Sequence, residues 1–278
     1  MTTARAGLRP GADPLDVISG QRFQDQGDPL IWDFEGRDHW GIFHSPDDSP
    51  DEWLAACRRT DEHMRAAAGL LPGDRVLEVC SGNGWAANRL SAAGYDVTAV
   101  DPSPGNVAAA RSDASASGLT TRFHEGSATA LPVPDGQFDL VYSQAALHRI
   151  ADRPAALREI RRVLRPGGRV LIDDLVTPAA HTALSPESVN WVYNRLQSAP
   201  AWSAPEYRDQ MSAAGLQVSS AADLSEHLRR TYEVLGLLSA RVDSLDPRLQ
   251  HAFALMVRAI DHREVGWSVF VARAGNPA

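Results

Sequence analysis

The sequence predicts an α/β fold, a mostly parallel sheet with helices on both faces. Three observations carry that expectation. From residue 75 onward, short apolar runs alternate with stretches of helical spacing, the rhythm of repeated β–α units. The first run, Val76-Leu77-Glu78-Val79, passes through Cys80-Ser81-Gly82-Asn83-Gly84 straight into a helical stretch at Trp85. Two glycines there let the backbone turn sharply and approach a ligand, and the helix start aims free N–H groups into the same turn. The second run, Tyr95 to Val100, ends on Asp101, where doubly wound sheets place the carboxylate that grips ribose hydroxyls. Together these features imply a nucleoside-containing cofactor.

The elements follow in order. Residues 1–20 are rich in Gly, Pro, Ala and Thr without periodicity and are expected to fray. An aromatic segment comes next, with Phe23, Trp32, Phe34, Trp40 and Phe43 interleaved with His39 and His44. The acidic run Asp47-Asp48-Ser49-Pro50-Asp51 suits the positive end of a helix, which is expected from Trp53 to Leu70 and stops before Pro72-Gly73. Strands are expected at Arg75–Val79, up to Asp101, at Thr121–His124, Phe138–Ser143 and Arg169–Ile172, the last stopping at Asp173-Asp174. Helices are expected at Trp85–Ala93, from Pro102-Ser103-Pro104 through Ala116, and at Arg153–Leu164.

Residues 175–204 break the rhythm, carrying Trp191, Tyr193 and Trp202 without a clear strand. A helix at Glu206–Ala214, a strand starting at Gly215-Leu216-Gln217-Val218, a helical stretch over 223–262 and a strand at Glu264–Arg273 complete the chain. The expected organisation is therefore a frayed start (1–20), an aromatic and helical cap (21–70) and a cofactor-binding domain (71–278) interrupted near 175–204 and 223–262. Such interruptions either cover a substrate as lids at the carboxyl ends of strands or serve as packing elements.

Composition narrows the function. The formal charge of -8 on 278 residues argues against a nucleic-acid surface, which needs clustered cations. Arg161-Arg162 and Arg229-Arg230 read as solvated helix faces. All 27 basic residues are arginine. Without lysine there is no Schiff base for pyridoxal phosphate and no P-loop lysine for a nucleoside triphosphate. Cys57 and Cys80 form no CxxC, which removes a disulfide framework and a cysteine-ligated metal. No apolar run approaches membrane-spanning length and residues 1–20 lack a signal-peptide pattern, so the default compartment is the cytoplasm. The expected partner is a small molecule, not nucleic acid or membrane, and the expected state is a monomer or homodimer.

Gly82-Asn83-Gly84-Trp85-Ala86-Ala87 also fits G-x-G-x-x-A, so an NAD-dependent oxidoreductase competes. Three features weigh against it. Glu78 places a carboxylate inside the first strand, where dinucleotide folds want an apolar residue. Leu131-Pro132-Val133-Pro134-Asp135-Gly136-Gln137-Phe138 leads into the fourth strand, and Leu164-Arg165-Pro166-Gly167-Gly168-Arg169 into the fifth. With these in order over residues 71–222, the chain resembles class I S-adenosylmethionine-dependent methyltransferases of the small-molecule group, similar to ubiquinone and menaquinone methyltransferases.

The resemblance implies a Rossmann-like fold with a mostly parallel seven-stranded sheet, an N-terminal cap and lid insertions. It also implies S-adenosylmethionine as cofactor, S-adenosylhomocysteine as product, and methyl transfer by in-line displacement to a small molecule, expected to be a secondary metabolite. The family's acidic residue and glycines map onto Glu78, Cys80, Gly82 and Gly84, with Cys80 standing where relatives have glycine. By resemblance, the glycine turn holds the methionine part, Asp101 takes both ribose hydroxyls and Pro102 packs near adenine. Ser127 replaces the family's adenine-capping Asp and accepts that hydrogen bond more weakly, Ala128 offers its amide, and Ser143 and Gln144 border the methionine.

His148 matches a family histidine, here followed by Arg149, and in related sugar O-methyltransferases such a histidine works with an Asp at the position of Asp174. A hydroxyl nucleophile gains from a base and imidazole titrates near neutrality; the competing reading is that His148 caps a helix or packs against a lid. Trp40 and Trp32 either line the substrate pocket through their π-faces or anchor the cap. No metal is expected: relatives that use magnesium need an acidic residue after the fourth strand, and this chain has Ser143. A scaffold of the same fold that catalyses a non-methylating reaction such as cyclisation is the principal alternative.

Overall fold

In the computed structural model, which describes residues 40–45, 47–177, 184–194, 196, 198, 202–241 and 247–275 together with the backbone of 22–24 and 31–33, the apolar runs pair as strands. In chain order the elements are β1 (Arg22–Gln24), β2 (Ile31–Asp33), α1 (Trp53–Ala68), β3 (Arg75–Val79), α2 (Trp85–Ala92), β4 (Asp96–Asp101), α3 (Pro104–Ala116), β5 (Arg122–Glu125), β6 (Phe138–Gln144), α4 (Arg153–Val163), β7 (Leu164–Val176), α5 (Ala204–Ala213), β8 (Leu216–Asp223), α6 (Ser225–Ser239), α7 (Pro247–Asp261) and β9 (Gly266–Ala274). β1 and β2 pair antiparallel by themselves, a hairpin that the aromatic pattern did not announce. The other seven strands form one sheet in the order β5-β4-β3-β6-β7-β9-β8. Neighbours from β5 to β7 run parallel, and β9 runs antiparallel to both β7 and β8.

Central strands buried on both faces must be apolar on both. Accordingly Val76, Leu77 and Val79 of β3, and Leu140 and Val141 of β6, are fully enclosed. One face of the sheet packs against α4 and α5 through Leu157, Ile160, Tyr207 and Met211. The other packs against α1, α2, α3, α6 and α7 through residues such as Cys57, Leu90, Val107, Leu228 and Phe253. The chain winds outward from β3 to β5 in one direction and from β6 to β7 in the other. The switch point between β3 and β6 is where such sheets open a crevice at their carboxyl ends.

Helix boundaries follow local chemistry. Ser103 and Asp152 cap α3 and α4 by accepting from Asn106 N–H (3.3 Å) and Ala155 N–H (3.0 Å), each followed by a proline in the first turn. Ser203 and Glu206 form a reciprocal capping box at α5. The segment before α1 is seated on α6, with Gly41 N–H donating to Thr231 Oγ1 (2.9 Å) and Arg230 donating to Asp48 O (2.6 Å).

Several boundaries differ from the sequence expectation. The fifth strand of the repeat does not stop at Asp173-Asp174. β7 runs on to Val176 because β9 backs it, with Asp173 opposite Val269 and Asp174 opposite Ser268. β8 starts where expected, at Leu216, and runs to Asp223 against β9. The helical stretch over 223–262 is two helices, α6 and α7, packed into the core rather than lying over it. Within 175–204, Pro186–Ser188 forms one helical turn that continues as a π-helical stretch, Val189–Asn194. The expectations for residues 1–20, Phe34, His39 and the side chain of Trp32 lie outside the described residues.

Candidate functional site

The turn between β3 and α2 carries three left-handed residues, Cys80 (φ 63), Gly82 (φ 54) and Gly84 (φ 78). Cys80 and Ser81 N–H both donate to Val100 O, at 2.8 and 3.1 Å, which ties the turn to β4. Gly84 is demanded by packing, since a Cβ there would stand 2.6 Å from the Phe123 ring and 2.7 Å from Ala110 Cβ. At Gly82 a Cβ would meet nothing within 4 Å; the backbone there borders open space, the shape of a cradle.

Asp101, at the tip of β4, is 6% exposed. Its Oδ2 accepts from Gly82 N–H (2.8 Å), and its Oδ1 accepts from Ser103 N–H (3.0 Å) and the Asn106 side chain (3.2 Å). A carboxylate has about four lone-pair sites. Three are in use, so a single ribose hydroxyl finds a place directly and a second requires one donor to withdraw. Asn106, a side chain and the longest of the three, is the donor freest to do so; sequence reading missed it.

Glu78 lies inside β3 and is 4% exposed. It accepts from Ala87 N–H in the first turn of α2, a helix whose Gly84 cap offers no side chain. Burial, with the Asp101 and Asp61 charges, pushes its carboxyl up to about 8 against that hydrogen bond. The neighbouring Cys80 thiol is pushed up to about 12 by burial, then by Asp101, Asp174 and Glu78.

His148 sits in a single 3-10 turn, Leu147–Arg149, just past β6. Its Nδ1 lies 2.6 Å from Asp174 Oδ1, with the two side chains 2% and 0% exposed. The second oxygen of Asp174 accepts from the Tyr207 hydroxyl. Asp173, next along β7, faces the other side of the sheet, where it accepts from Trp267 Nε1 (3.1 Å) and Ala145 N–H (3.2 Å). Burial and the Asp174 charge push it up to about 8.

Four buried polar atoms at this edge have no partner: Glu78 Oε2, Ser81 Oγ, Ser143 Oγ and His148 Nε2. They belong to the ends of β3 and β6 and the turns that follow. Buried polar atoms are nearly always satisfied, so orphans gathered at the sheet's switch point fit a polar ligand with both donors and acceptors. An adenosyl amino acid has that donor set. The remaining expected residues differ in setting. Ala128 is buried, whereas Ser127 and Pro102 are exposed, and the Ser127 hydroxyl bonds Thr129 (2.8 Å). Gln144 accepts from the Tyr142 hydroxyl at 3.3 Å. Trp40 is packed in the core with its ring 5.3 Å from that of Trp267, the contact expected of an anchor. Among the described residues no group of three or more His, Cys, Asp or Glu could hold a metal ion.

Comparison with known proteins agrees with this arrangement. Residues 77–172 match the methyltransferase domain family. The 27-O-demethylrifamycin SV methyltransferase of Amycolatopsis mediterranei is 35% identical over 186 residues, 64% of this chain and 66% of that protein. The demethylmenaquinone methyltransferase of Thermus thermophilus is 42% identical over 106 residues, 37% of this chain and 48% of that one. The crystal structure of the [4+2]-cyclase SpnF superposes with a TM-score of 0.66 and 25% identity, covering 85% of this chain and 87% of that chain. Residues 77–172 thus carry a methyltransferase domain, and the chain is similar to methyltransferases of small molecules. The dinucleotide reading of the glycine turn falls with that assignment. The matched region spans at most about two thirds of the length of these curated relatives.

Proposed function

We propose that this protein methylates a hydroxyl group of a small molecule, a secondary metabolite, with S-adenosylmethionine as donor. The observation that carries the proposal is His148: a buried imidazole held at Nδ1 by Asp174, with Nε2 unpartnered, in the turn after β6, the strand that neighbours β3 and its glycine turn. A hydroxyl is a poor nucleophile until its proton leaves, and a positioned base contributes roughly 10²–10⁴-fold. When bound, S-adenosylmethionine supplies an electrophilic methyl carbon on a sulfonium. The Gly82 backbone, Glu78, Cys80, Ser143 and Gln144 would hold its methionine end. Asp101 would take the ribose, with Pro102, Ser127 and Ala128 at the adenine. His148 Nε2 accepts the hydroxyl proton as the oxygen becomes nucleophilic, and Asp174 stabilises the imidazolium. Alignment of acceptor and donor provides the rest. The segment over 184–194 would border the acceptor.

The relative named for 27-O-demethylrifamycin SV supports a hydroxyl acceptor. No helix of the described residues is long and apolar enough to cross a membrane; the proposed compartment is the cytoplasm and the proposed state a monomer or homodimer. A second reading, cofactor-supported cyclisation without methyl transfer, is favoured by the likeness to the [4+2]-cyclase. Incubation with methyl-labelled S-adenosylmethionine and a panel of hydroxylated small molecules separates the two. Label on an acceptor oxygen, lost by His148→Ala with S-adenosylhomocysteine affinity unchanged, is the expected result. An acceptor methylated at full rate by His148→Ala removes the base, and ring closure without label favours the cyclase.

A further inference from the structure

Nothing in the sequence pattern connects Tyr207 to the site, since it lies 33 residues beyond Asp174 on another element. The fold brings it in. Tyr207 is in the first turn of α5, fully enclosed, with its ring stacked on Phe270 (centroids 4.8 Å, 22° between planes) and meeting Trp202 edge-on at 5.1 Å. Two rings therefore fix the phenol, and its hydroxyl donates to the oxygen of Asp174 that His148 leaves open.

We propose that Tyr207 is the positioning residue of the His148–Asp174 pair: by holding Asp174 Oδ2 it keeps that group a carboxylate, so that Nδ1 of His148 stays protonated and Nε2 stays the acceptor. That the imidazole then serves as a base rests on the reading given under Proposed function. The charge environment fits the role. Burial and the Asp174 charge hold the Tyr207 phenol well above its ordinary value, so it remains a donor. Arg153, from the start of α4, hydrogen-bonds the Tyr207 hydroxyl and lies 4.0 Å over the Trp202 ring, which places a cation behind the relay. Asp173, adjacent in β7 but on the other face of the sheet, and Cys80, in the turn after β3, both feel the Asp174 charge, which Arg149, in the turn after β6, offsets at Cys80. Of the two adjacent buried carboxyls only Asp174 has a hydroxyl donor and an imidazole on its two oxygens.

The phenol withdraws negative charge from Asp174. Its loss concentrates that charge on the imidazole side and makes the His148–Asp174 pair hold its proton to higher pH. The test is an NMR titration of the His148 imidazole nitrogens in protein saturated with S-adenosylhomocysteine, which needs no acceptor. Wild-type protein should show Nδ1 protonated and Nε2 bare above the transition. Tyr207→Phe should move the His148 transition upward by about one pH unit, with calorimetric affinity for S-adenosylhomocysteine unchanged. Replacing tyrosines by 3-fluorotyrosine, whose phenol is the stronger donor, should move it downward and covers the case in which Tyr207→Phe does not fold. A His148 transition that neither replacement moves overturns the proposal. If the transition moves but His148→Ala methylates at full rate, the positioning role stands and the base reading alone fails.

Discussion

Gly82 and Gly84 share a motif and a left-handed backbone, yet different forces demand them. At Gly84 a Cβ collides with Phe123 and Ala110, so Gly84→Ala should destabilise the fold by about 2–4 kcal/mol through overpacking and the left-handed penalty, read by chemical denaturation. Gly82→Ala meets no neighbour; it should leave stability within about 1–2 kcal/mol of wild type and instead weaken S-adenosylhomocysteine binding, read by calorimetry. Equal stability losses in the two variants would contradict this division. Asp101 joins Gly82, Ser103 and Asn106 in one knot. Asp101→Ala should therefore cost about 1.5–3 kcal/mol of cofactor affinity; unchanged affinity would move the ribose elsewhere. The place of these residues in the fold was legible because the glycine turn and the carboxylate end two successive apolar runs. The pairing of His148 with Asp174 came only through resemblance, and Asn106, Tyr207 and Arg153 were not legible at all, since their roles arise from packing between elements distant in sequence.

Strands and helices were read well wherever their signal was local. Glycine and proline punctuation gave the starts of β3, β6, α3 and α4 to within a few residues. The misjudged boundary is one set by a neighbour: β7 reaches further than its own apolar run because β9 pairs along it. Burial of Asp173 and Asp174 inside β7 follows from that pairing and from their polar partners, which no window of sequence contains. One segment tests how residues 184–194 are held. Glu264, before β9, accepts from Ser185 N–H (3.1 Å), Ser185 Oγ (3.0 Å) and Ser188 Oγ, and Tyr193 donates to its backbone oxygen. Glu264→Ala should raise amide hydrogen exchange over 184–194 while α4 and β6 keep wild-type protection. Unaltered exchange in that segment would show that its apolar contacts, Val192 and Leu196 among them, suffice.

For the molecule as a whole, the site makes stability depend on pH in an unusual direction. Glu78 and Asp173 are raised from ordinary values of 4.5 and 3.8 to about 8. The folded protein therefore keeps protons that the unfolded chain has released. The stability these groups contribute is fully present below those ordinary values and is lost as pH rises through the folded ones. Urea midpoints of cofactor-free protein should fall between about pH 4.5 and 8, and Glu78→Gln should flatten the fall. A slope identical in that variant would show that Glu78 is ionised throughout.

Cys57 is wholly enclosed, and Cys80 is held at the glycine turn with its thiol pushed up to about 12. Burial shields the first and the raised pKa of the second leaves it little thiolate at neutral pH, so maleimides should pass the native chain by. A cysteine placed at the exposed Leu237 of α6 would then be the sole handle for a fluorescent dye, letting that helix be watched in solution without first stripping out the resident sulfhydryls.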